Sequence, residues 1–387
     1  MSDKKTAVVF AGIPATNRAL YHRLRFVVGD PTAVLDIKQE DGTTQRVFIL
    51  RDIEMDRARR HARADIVACP NDYAPESGLS GDRETATAQA AAECLRRAGV
   101  QSVVGDRSLP LIVADHIQKA GIEVICDFDL GVLDRRAKDA QEVDWLREAQ
   151  AMTERSMEMA CKMIANAAAD ADGLLHTGGA VLTSDRVRAA VEVFLLENGY
   201  SAPFTIVAGG PQGADCHDRG TGDLYTGQPV IIDIFPQNRE TLYNGDCTRS
   251  VVHGEISAQL QHMHAAVVKA KAAATAATKP GATGQDVHDE TCRVILECGY
   301  KLGLPTADDP DEYCAMTHGT GHGIGLDVHE PPLLDKGGPE LVVGDALTIE
   351  PGLYCRTIGG IRVEDMVVVT EDGCENLNNL PEGLNWN

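Results

Sequence analysis

The sequence predicts two domains, an α/β unit over residues 1–135 and a second unit over 140–387 built from two copies of one pattern. Three observations carry this. Apolar runs of strand length alternate with helical periodicity through the first third of the chain, as an α/β domain requires. The hexapeptide Leu195-Leu-Glu-Asn-Gly-Tyr200 recurs as Ile295-Leu-Glu-Cys-Gly-Tyr300, and each copy lies between a long helical stretch and a candidate β-hairpin. Between the hairpins, His318-Gly-Thr-Gly-His-Gly-Ile-Gly-Leu-Asp-Val-His-Glu330 packs three histidines and four glycines into thirteen residues.

Composition excludes several classes. At 387 residues, 43% hydrophobic and 24% charged, the chain has the balance of a soluble globular protein long enough for two cores. A formal charge of −22 argues against nucleic acid or an anionic membrane as partner. The eleven cysteines form no Cys-x-x-Cys pair and are odd in number, so free thiols in a reducing compartment are expected. No apolar run approaches the ~20 residues of a membrane span, and Met-Ser-Asp-Lys-Lys-Thr leads into a strand-like run rather than a signal-peptide core. The expected location is the cytoplasm.

Taken in order, Ala7–Ala11 reads as a buried strand and Ala15–Val27 as a helix. Thr32–Ile37 and Gln45–Leu50 flank Asp41-Gly42, a hairpin signal. Glu54–Ala64 is a charged helix and Asp65–Cys69 a strand. Glu84–Ala98 is a helix closed by Gly99, with Arg96 and Arg97 suiting its C-terminal dipole. Ser102–Gly105, Leu109–Ala120 and Ile122–Phe128 continue as strand, helix, strand. No phosphate-cradling glycine motif interrupts them, which points to a packing, dimerisation or substrate-gating role. The charged run Asp134–Asp139 marks the boundary. Beyond it, Val143, Leu146, Ala149, Met157, Ala160 and Ile164 fall at helical spacing.

The hairpins carry the chemistry. The first joins Pro229-Val-Ile-Ile-Asp233 to Asn244-Gly-Asp246-Cys-Thr-Arg-Ser-Val-Val252, and the second joins Ala346-Leu-Thr-Ile-Glu350 to Ile361-Arg-Val-Glu364-Asp. Turns centred at Arg239–Glu240 and at Thr357 predict that Asp233 faces Asp246 and Glu350 faces Glu364. Opposed like charges destabilise a sheet, and unpaired buried carboxylates cost several kcal/mol, so a cation is expected between them. The histidine stretch has too many glycines for a helix, each costing ~1 kcal/mol there, and lacks the Glu after the first His that the helical zinc motif needs. It reads as extended chain supplying His322. Four carboxylates and an imidazole are too many for one zinc and suit two divalent ions sharing bridging carboxylates. Cys247 and Cys355 read as core.

These residues resemble a known family. The order Asp233, Asp246, His322, Glu350, Glu364, with the blocks Ile-Ile-Asp-Ile, Gly-Asp-Cys-Thr-Arg-Ser, His-Gly-Thr-Gly-His-Gly-Ile-Gly, Ile-Glu-Pro-Gly-Leu-Tyr and Ile-Arg-Val-Glu-Asp, is similar to the pita-bread metallopeptidases: methionine aminopeptidase, aminopeptidase P and prolidase. The match covers about residues 140–375. It implies a pseudo-twofold α+β catalytic domain, preceded by an α/β domain like that of creatinase, prolidase and aminopeptidase P. It implies that Asp233 binds one metal, Asp246 and Glu364 bridge both, and His322 and Glu350 complete the other. Mn²⁺ is the expected ion, with Co²⁺, Fe²⁺ or Zn²⁺ as alternatives. His318, His329 and Glu350 take catalytic positions, and His217, Tyr354 and Arg362 substrate positions.

The implied activity is hydrolysis of the bond after the N-terminal residue of a peptide, Xaa-Pro above all, by a homodimer. Methionine aminopeptidase-like activity, a metal-free creatinase-like amidinohydrolase and a non-enzymatic binding module are the alternatives. Three departures bear on this. The first hairpin loop is two residues longer than the resemblance leads one to expect, Met366 replaces a frequent second Asp, and Gly321 and Gly323 resemble the methionine aminopeptidase version of the loop.

Overall fold

A computed structural model describes residues 5–387. The chain divides into two compact units, Met1–Arg135 and Arg136–Asn387. Residues 1–4, which the sequence analysis read as a lead-in to the first strand, lie outside the described residues.

Unit 1 holds a six-stranded sheet. Its strands are β1 (Thr6–Gly12), β2 (Thr32–Lys38), β3 (Thr44–Ile49), β4 (Ile66–Ala68), β5 (Ser102–Asp106) and β6 (Glu123–Asp127), in the order β4-β3-β2-β1-β5-β6. The β2–β3 hairpin forms around Asp41, whose carboxylate accepts from the Thr43 amide at 2.9 Å. The helices are α1 (Arg18–Leu24), α2 (Met55–His61), α3 (Arg83–Arg97) and α4 (Leu111–Lys119). Helix α3 buries Ala88, Ala90, Ala91 and Ala92, whose small side chains let it lie close to the sheet. Helix α1 is shorter than its periodicity implies. Asn17 caps it by accepting from the Leu20 amide, and Arg25 adopts a left-handed conformation (φ 51°) that stops it.

Unit 2 opens with α5 (Ala140–Ala165), started by a reciprocal capping box of Asp139 and Glu142. Two helices carry the repeated hexapeptide at their C-terminal ends, α6 (Ser184–Glu197) and, after α7 (Ala258–Ala277), α8 (Gly284–Glu297). Gly199 and Gly299 sit at φ 84° and 86°, the left-handed turn that a side chain would strain. The sequence repeat is therefore a repeated helix stop.

Strands β7 (Ile206–Gly209), β8 (Pro229–Ile234) and β9 (Cys247–Val252) form one antiparallel sheet. Later strands are β10 (Cys314–Met316), β11 (Gly321–Gly323), β12 (Glu330–Leu334), β13 (Ala346–Ile349), β14 (Gly352–Cys355), β15 (Gly359–Arg362), β16 (Asp365–Val369) and β17 (Cys374–Asn376). They make a five-stranded sheet, β12-β11-β13-β16-β17, and a four-stranded sheet in which Lys301–Leu302, β10, β14 and β15 are neighbours.

The second hairpin keeps one register through both sheets. Ile349 pairs with Asp365, Gly352 with Arg362 and Cys355 with Gly359. The turn is thus centred at Thr357 as expected, and continuing the register sets Glu350 opposite Glu364. The first hairpin departs from expectation. Asp233 pairs with Thr248 and Ile234 with Cys247, so Asp246 lies two residues along from the partner of Asp233. The side chain of Asn238 explains the shift, because its Oδ1 accepts from the amides of Glu240 and Thr241 and moves the turn one residue later. Asp246 keeps the same face of the sheet as Thr248 and is a diagonal neighbour of Asp233, still within side-chain reach.

All eleven cysteines are free thiols, and Cys247 and Cys355 are buried. No helix among the described residues is long and apolar enough to cross a membrane.

In unit 1 the buried Asp36 accepts from Arg46 at 2.7 Å and from Arg23 at 2.6 Å. Burial alone would raise its pKa, but these hydrogen bonds and charges outweigh it and hold the carboxyl below its usual range. A depressed folded-state pKa stabilises above the unfolded value of ~3.9 and is lost as pH falls through the folded value. Asp36→Asn should therefore cost about 1.5–3 kcal/mol at pH 7. In urea titrations that deficit should shrink below pH ~4, and a deficit constant with pH would count against the pair.

Candidate metal centre

Five side chains converge from the strand ends of unit 2. Asp233 is the penultimate residue of β8 and Asp246 immediately precedes β9, while Glu350 immediately follows β13 and Glu364 immediately precedes β16. His322 is the central residue of β11, and its amide donates to Thr348 Oγ1 of β13 at 3.1 Å. Glycine at 321 makes that approach possible, since a Cβ there would lie 2.0 Å from the Thr348 carbonyl oxygen. Asp246, His322 and Glu364 are buried and each offers one ligand atom within 4.8 Å of the others. His322 Nε2 also lies 3.3 Å from Glu350 Oε1 and 3.9 Å from Asp246 Oδ2.

The protonation pattern says what belongs between them. His322 Nδ1 lies 3.1 Å from the Gly323 carbonyl, so it carries the hydrogen and Nε2 is a lone pair. Burial drives the imidazole pKa down to about 4, against a smaller upward effect of that carbonyl. The Nε2 lone pair thus points toward the carboxyl oxygens of Glu350 and Asp246. Burial, then repulsion from Glu364, Asp233 and Glu350, pushes the Asp246 pKa well up. Burial, then Glu350 and Asp233, does the same for Glu364. Burial also raises Glu350, though His318 and Arg362 oppose it. Asp233 Oδ1 is buried with no hydrogen-bond partner. The guanidinium of Arg362 stands among these carboxylates, and its Nη2 donates to Asp233 Oδ2 at 2.6 Å. An excess of buried anionic oxygen, an orphaned oxygen and an aimed imidazole lone pair fit divalent cations.

The cluster lines a cavity of about 330 Å³ that also holds Ile206, Phe235, Val328 and Leu333. His217 and His329 are exposed and line it too, and the His329 ring meets His322 edge-on at 4.2 Å between centroids. His318 lines it differently from expectation. Its Nδ1 lies 2.7 Å from the Gly319 carbonyl and its Nε2 2.7 Å from the Tyr354 hydroxyl, so both ring nitrogens are engaged. Tyr354 in turn accepts from Arg362 Nη1 at 3.0 Å and lines a neighbouring cavity rather than this one. Arg362, expected to meet substrate, lines the cavity and also donates to Thr248 Oγ1 and the Cys216 carbonyl.

Sequence reasoning missed the residues behind the carboxylates. Arg249 is fully buried and donates to the Glu364 carbonyl at 2.5 Å and to Asp365 at 2.8 Å, and Lys271 also pairs with Asp365. A charged residue inside Cys-Thr-Arg-Ser-Val-Val was the available signal. Lys138 and Glu330, both buried, form an ion pair of 2.7 Å whose partners are far apart in sequence.

The sequence signature of metallopeptidase family M24 matches residues 144–371. The chain belongs to that family. A probable dipeptidase PepE of Mycobacterium tuberculosis is 32% identical over 299 residues, 74% of this chain and 72% of that protein. Among solved structures, an X-Pro aminopeptidase from Thermotoga maritima superposes with a TM-score of 0.78 at 23% identity, covering 98% of this chain and 97% of that one. An Xaa-Pro dipeptidase from Bacillus anthracis gives 0.78 at 24%, covering 98% and 94%. These two likenesses show the fold. This M24 metallopeptidase has the pita-bread architecture with an N-terminal domain, as the resemblance implied.

Metal binding has a thermodynamic consequence. A divalent ion at about a hundred times its Kd should raise unfolding free energy by about 2.7 kcal/mol. Thermal melts in chelator and in Mn²⁺ should differ accordingly, and Glu364→Ala should erase most of the difference. Identical melts for the unmutated protein would remove the metal reading.

Proposed function

We propose that this metallopeptidase hydrolyses the bond after the N-terminal residue of short peptides, Xaa-Pro in preference, with two divalent ions, Mn²⁺ first among them. The observation that carries the reading is the His322 lone pair aimed into the buried carboxylates Asp246 and Glu364 and the partly buried Glu350, all lining a peptide-sized cavity. Relatives support the substrate class. Besides the mycobacterial dipeptidase, an Xaa-Pro dipeptidase of Pyrococcus horikoshii is 28% identical over 285 residues.

In this reading Asp233, Asp246, His322, Glu350 and Glu364 hold the ions, with Asp246 and Glu364 shared. Bound ions supply Lewis acidity and bring the pKa of water in the site down toward ~7. The chain's own residues do the rest. Glu350 is only half-buried and faces the cavity, and burial lifts its pKa in the direction a proton acceptor needs. It takes the proton released as water attacks the scissile carbonyl and delivers it to the leaving nitrogen. His329, exposed in the cavity beside His322, stabilises the charge developing on the carbonyl oxygen. His318 is left out of this role in the present reading, because its Nδ1 faces the Gly319 carbonyl and its Nε2 the Tyr354 hydroxyl. His217, across the cavity, contacts the peptide, and Ile206, Phe235, Val328 and Leu333 give the apolar walls a prolyl ring requires, since an Xaa-Pro bond has no amide hydrogen to recognise.

The deciding assay compares Xaa-Pro and Xaa-Ala dipeptides with longer Xaa-Pro peptides and Met-Ala peptides, in chelator and after adding back Mn²⁺ or Co²⁺. Hydrolysis should vanish in chelator, return with metal and favour Xaa-Pro. Equal turnover of Xaa-Pro and Xaa-Ala would refute the proline preference. Separately, His329→Ala should lower kcat about 10²–10³-fold with KM little changed, and a rise in KM alone would reassign His329 to substrate positioning.

A further inference from the structure

Two fully buried threonines, one in each half of the duplicated unit, stand directly behind the metal centre. Thr248 lies in β9 and Thr348 in β13. Each hydroxyl makes two hydrogen bonds, and in each case one partner can only donate. Thr248 Oγ1 is 3.1 Å from Nε of Arg362 and 2.6 Å from Oε2 of Glu364. Thr348 Oγ1 is 3.1 Å from the amide nitrogen of His322 and 3.3 Å from Oε1 of Glu350.

A hydroxyl has one hydrogen and two lone pairs. Where a guanidinium N–H or a backbone N–H occupies a lone pair, the single hydrogen must turn to the other partner. Both hydroxyls are thereby forced to donate to a glutamate oxygen. β-Branching adds rigidity, because Thr has few χ1 choices once its strand is packed. The backbone reinforces the first case, since the Glu364 amide donates to the Thr248 carbonyl at 3.1 Å. Packing alone does not call for a hydroxyl at either position. Valine has the same shape and is what β9 itself uses at Val251 and Val252, and what β16, the partner of β13, uses at Val367 and Val368.

We propose that Thr248 and Thr348 are positioning residues of the metal centre, each locking the carboxylate of a metal-binding glutamate in the rotamer that faces the ion. The inference rests on the reading that Glu350 and Glu364 bind metal. A glutamate otherwise spends three side-chain torsions on reaching a ligand geometry, and a fixed hydrogen bond removes that freedom before the ion arrives. Arg362 Nε and the His322 amide set the direction of each bond, so Arg362, which holds Asp233 through Nη2, and the backbone of His322 also orient the two glutamates. The 2.6 Å contact marks Thr248 as the stronger of the two.

The test measures Mn²⁺ affinity, by calorimetric titration of the metal-free full chain, for the unmutated protein, Thr248→Val, Thr248→Ser and Thr348→Val. Circular dichroism and melting in chelator establish that each variant is folded. Thr248→Val should weaken Mn²⁺ binding about 10–100-fold, the usual effect of removing a partner of a metal ligand. Thr348→Val should show a smaller loss, and Thr248→Ser should bind like the unmutated chain. Unchanged affinity in folded Thr248→Val overturns the proposal. So does a Thr248→Ser loss as large as that of Thr248→Val, which would make the methyl group, not the hydroxyl, the feature that matters. If Thr248→Val does not fold, unchanged affinity in Thr348→Val overturns it equally. Failure of the unmutated chain to take up Mn²⁺ would remove the metal reading itself, a result distinct from all of these.

Discussion

The structure of unit 2 depends on the cost of gathering acids out of water. Two unit charges 4 Å apart interact by about 4 kcal/mol at the effective dielectric typical of proteins, and a whole domain is stable by only ~5–15 kcal/mol. Asp246 and Glu364 are nevertheless buried together, with Glu350 and Asp233 beside them and Arg362 as their cation. Such a cluster persists only if the surrounding frame is rigid and if further positive charge can enter. The frame is visible in the placement of all four acids at strand ends, and in the two threonines and Arg249 that grip their side chains and backbone from behind. The lone pair of His322, pointed into the same space, has no use without a cation.

How much of this could be read from the sequence follows from what each feature depends on. Strand alternation, the capped helices and the repeated helix stop at Gly199 and Gly299 are local, and they stand close to where periodicity put them. The second hairpin was legible to the residue because its register runs unbroken about Thr357. The first was not. A single side chain, Asn238, accepting two amides moved the turn by one residue and thus the strand pairing by two. Since side chains alternate with period two, that error left Asp246 on the correct face. The engagement of His318 by Tyr354 and Gly319, the Thr248 and Thr348 hydroxyls, and the Lys138–Glu330 pair depend on where distant segments meet. Residue spacing carries no trace of such meetings.

The duplication builds the carboxylate frame, and the differences between its halves create the chemistry. Asp233, from the first half, is tied at 2.6 Å to a buried guanidinium, which suits a ligand that keeps its place. Glu350, its counterpart in the second half, has no guanidinium at bonding distance among the described residues. Its hydroxyl partner lies at 3.3 Å and its carboxylate borders the cavity. Two glutamates opposed across one strand pair are likewise unequal. Both backbones are tied, but the Glu364 carboxylate is held by a 2.6 Å hydroxyl, whereas the hydroxyl partner of Glu350 lies at 3.3 Å and Glu350 is only partly buried. A proton acceptor must gain and lose its proton without disturbing the frame, so an acid with a longer tether than Asp233 or Glu364 and with access to the cavity is fitted to that task. On the function proposed here, that asymmetry is why Glu350, rather than Asp233 or Glu364, moves the proton.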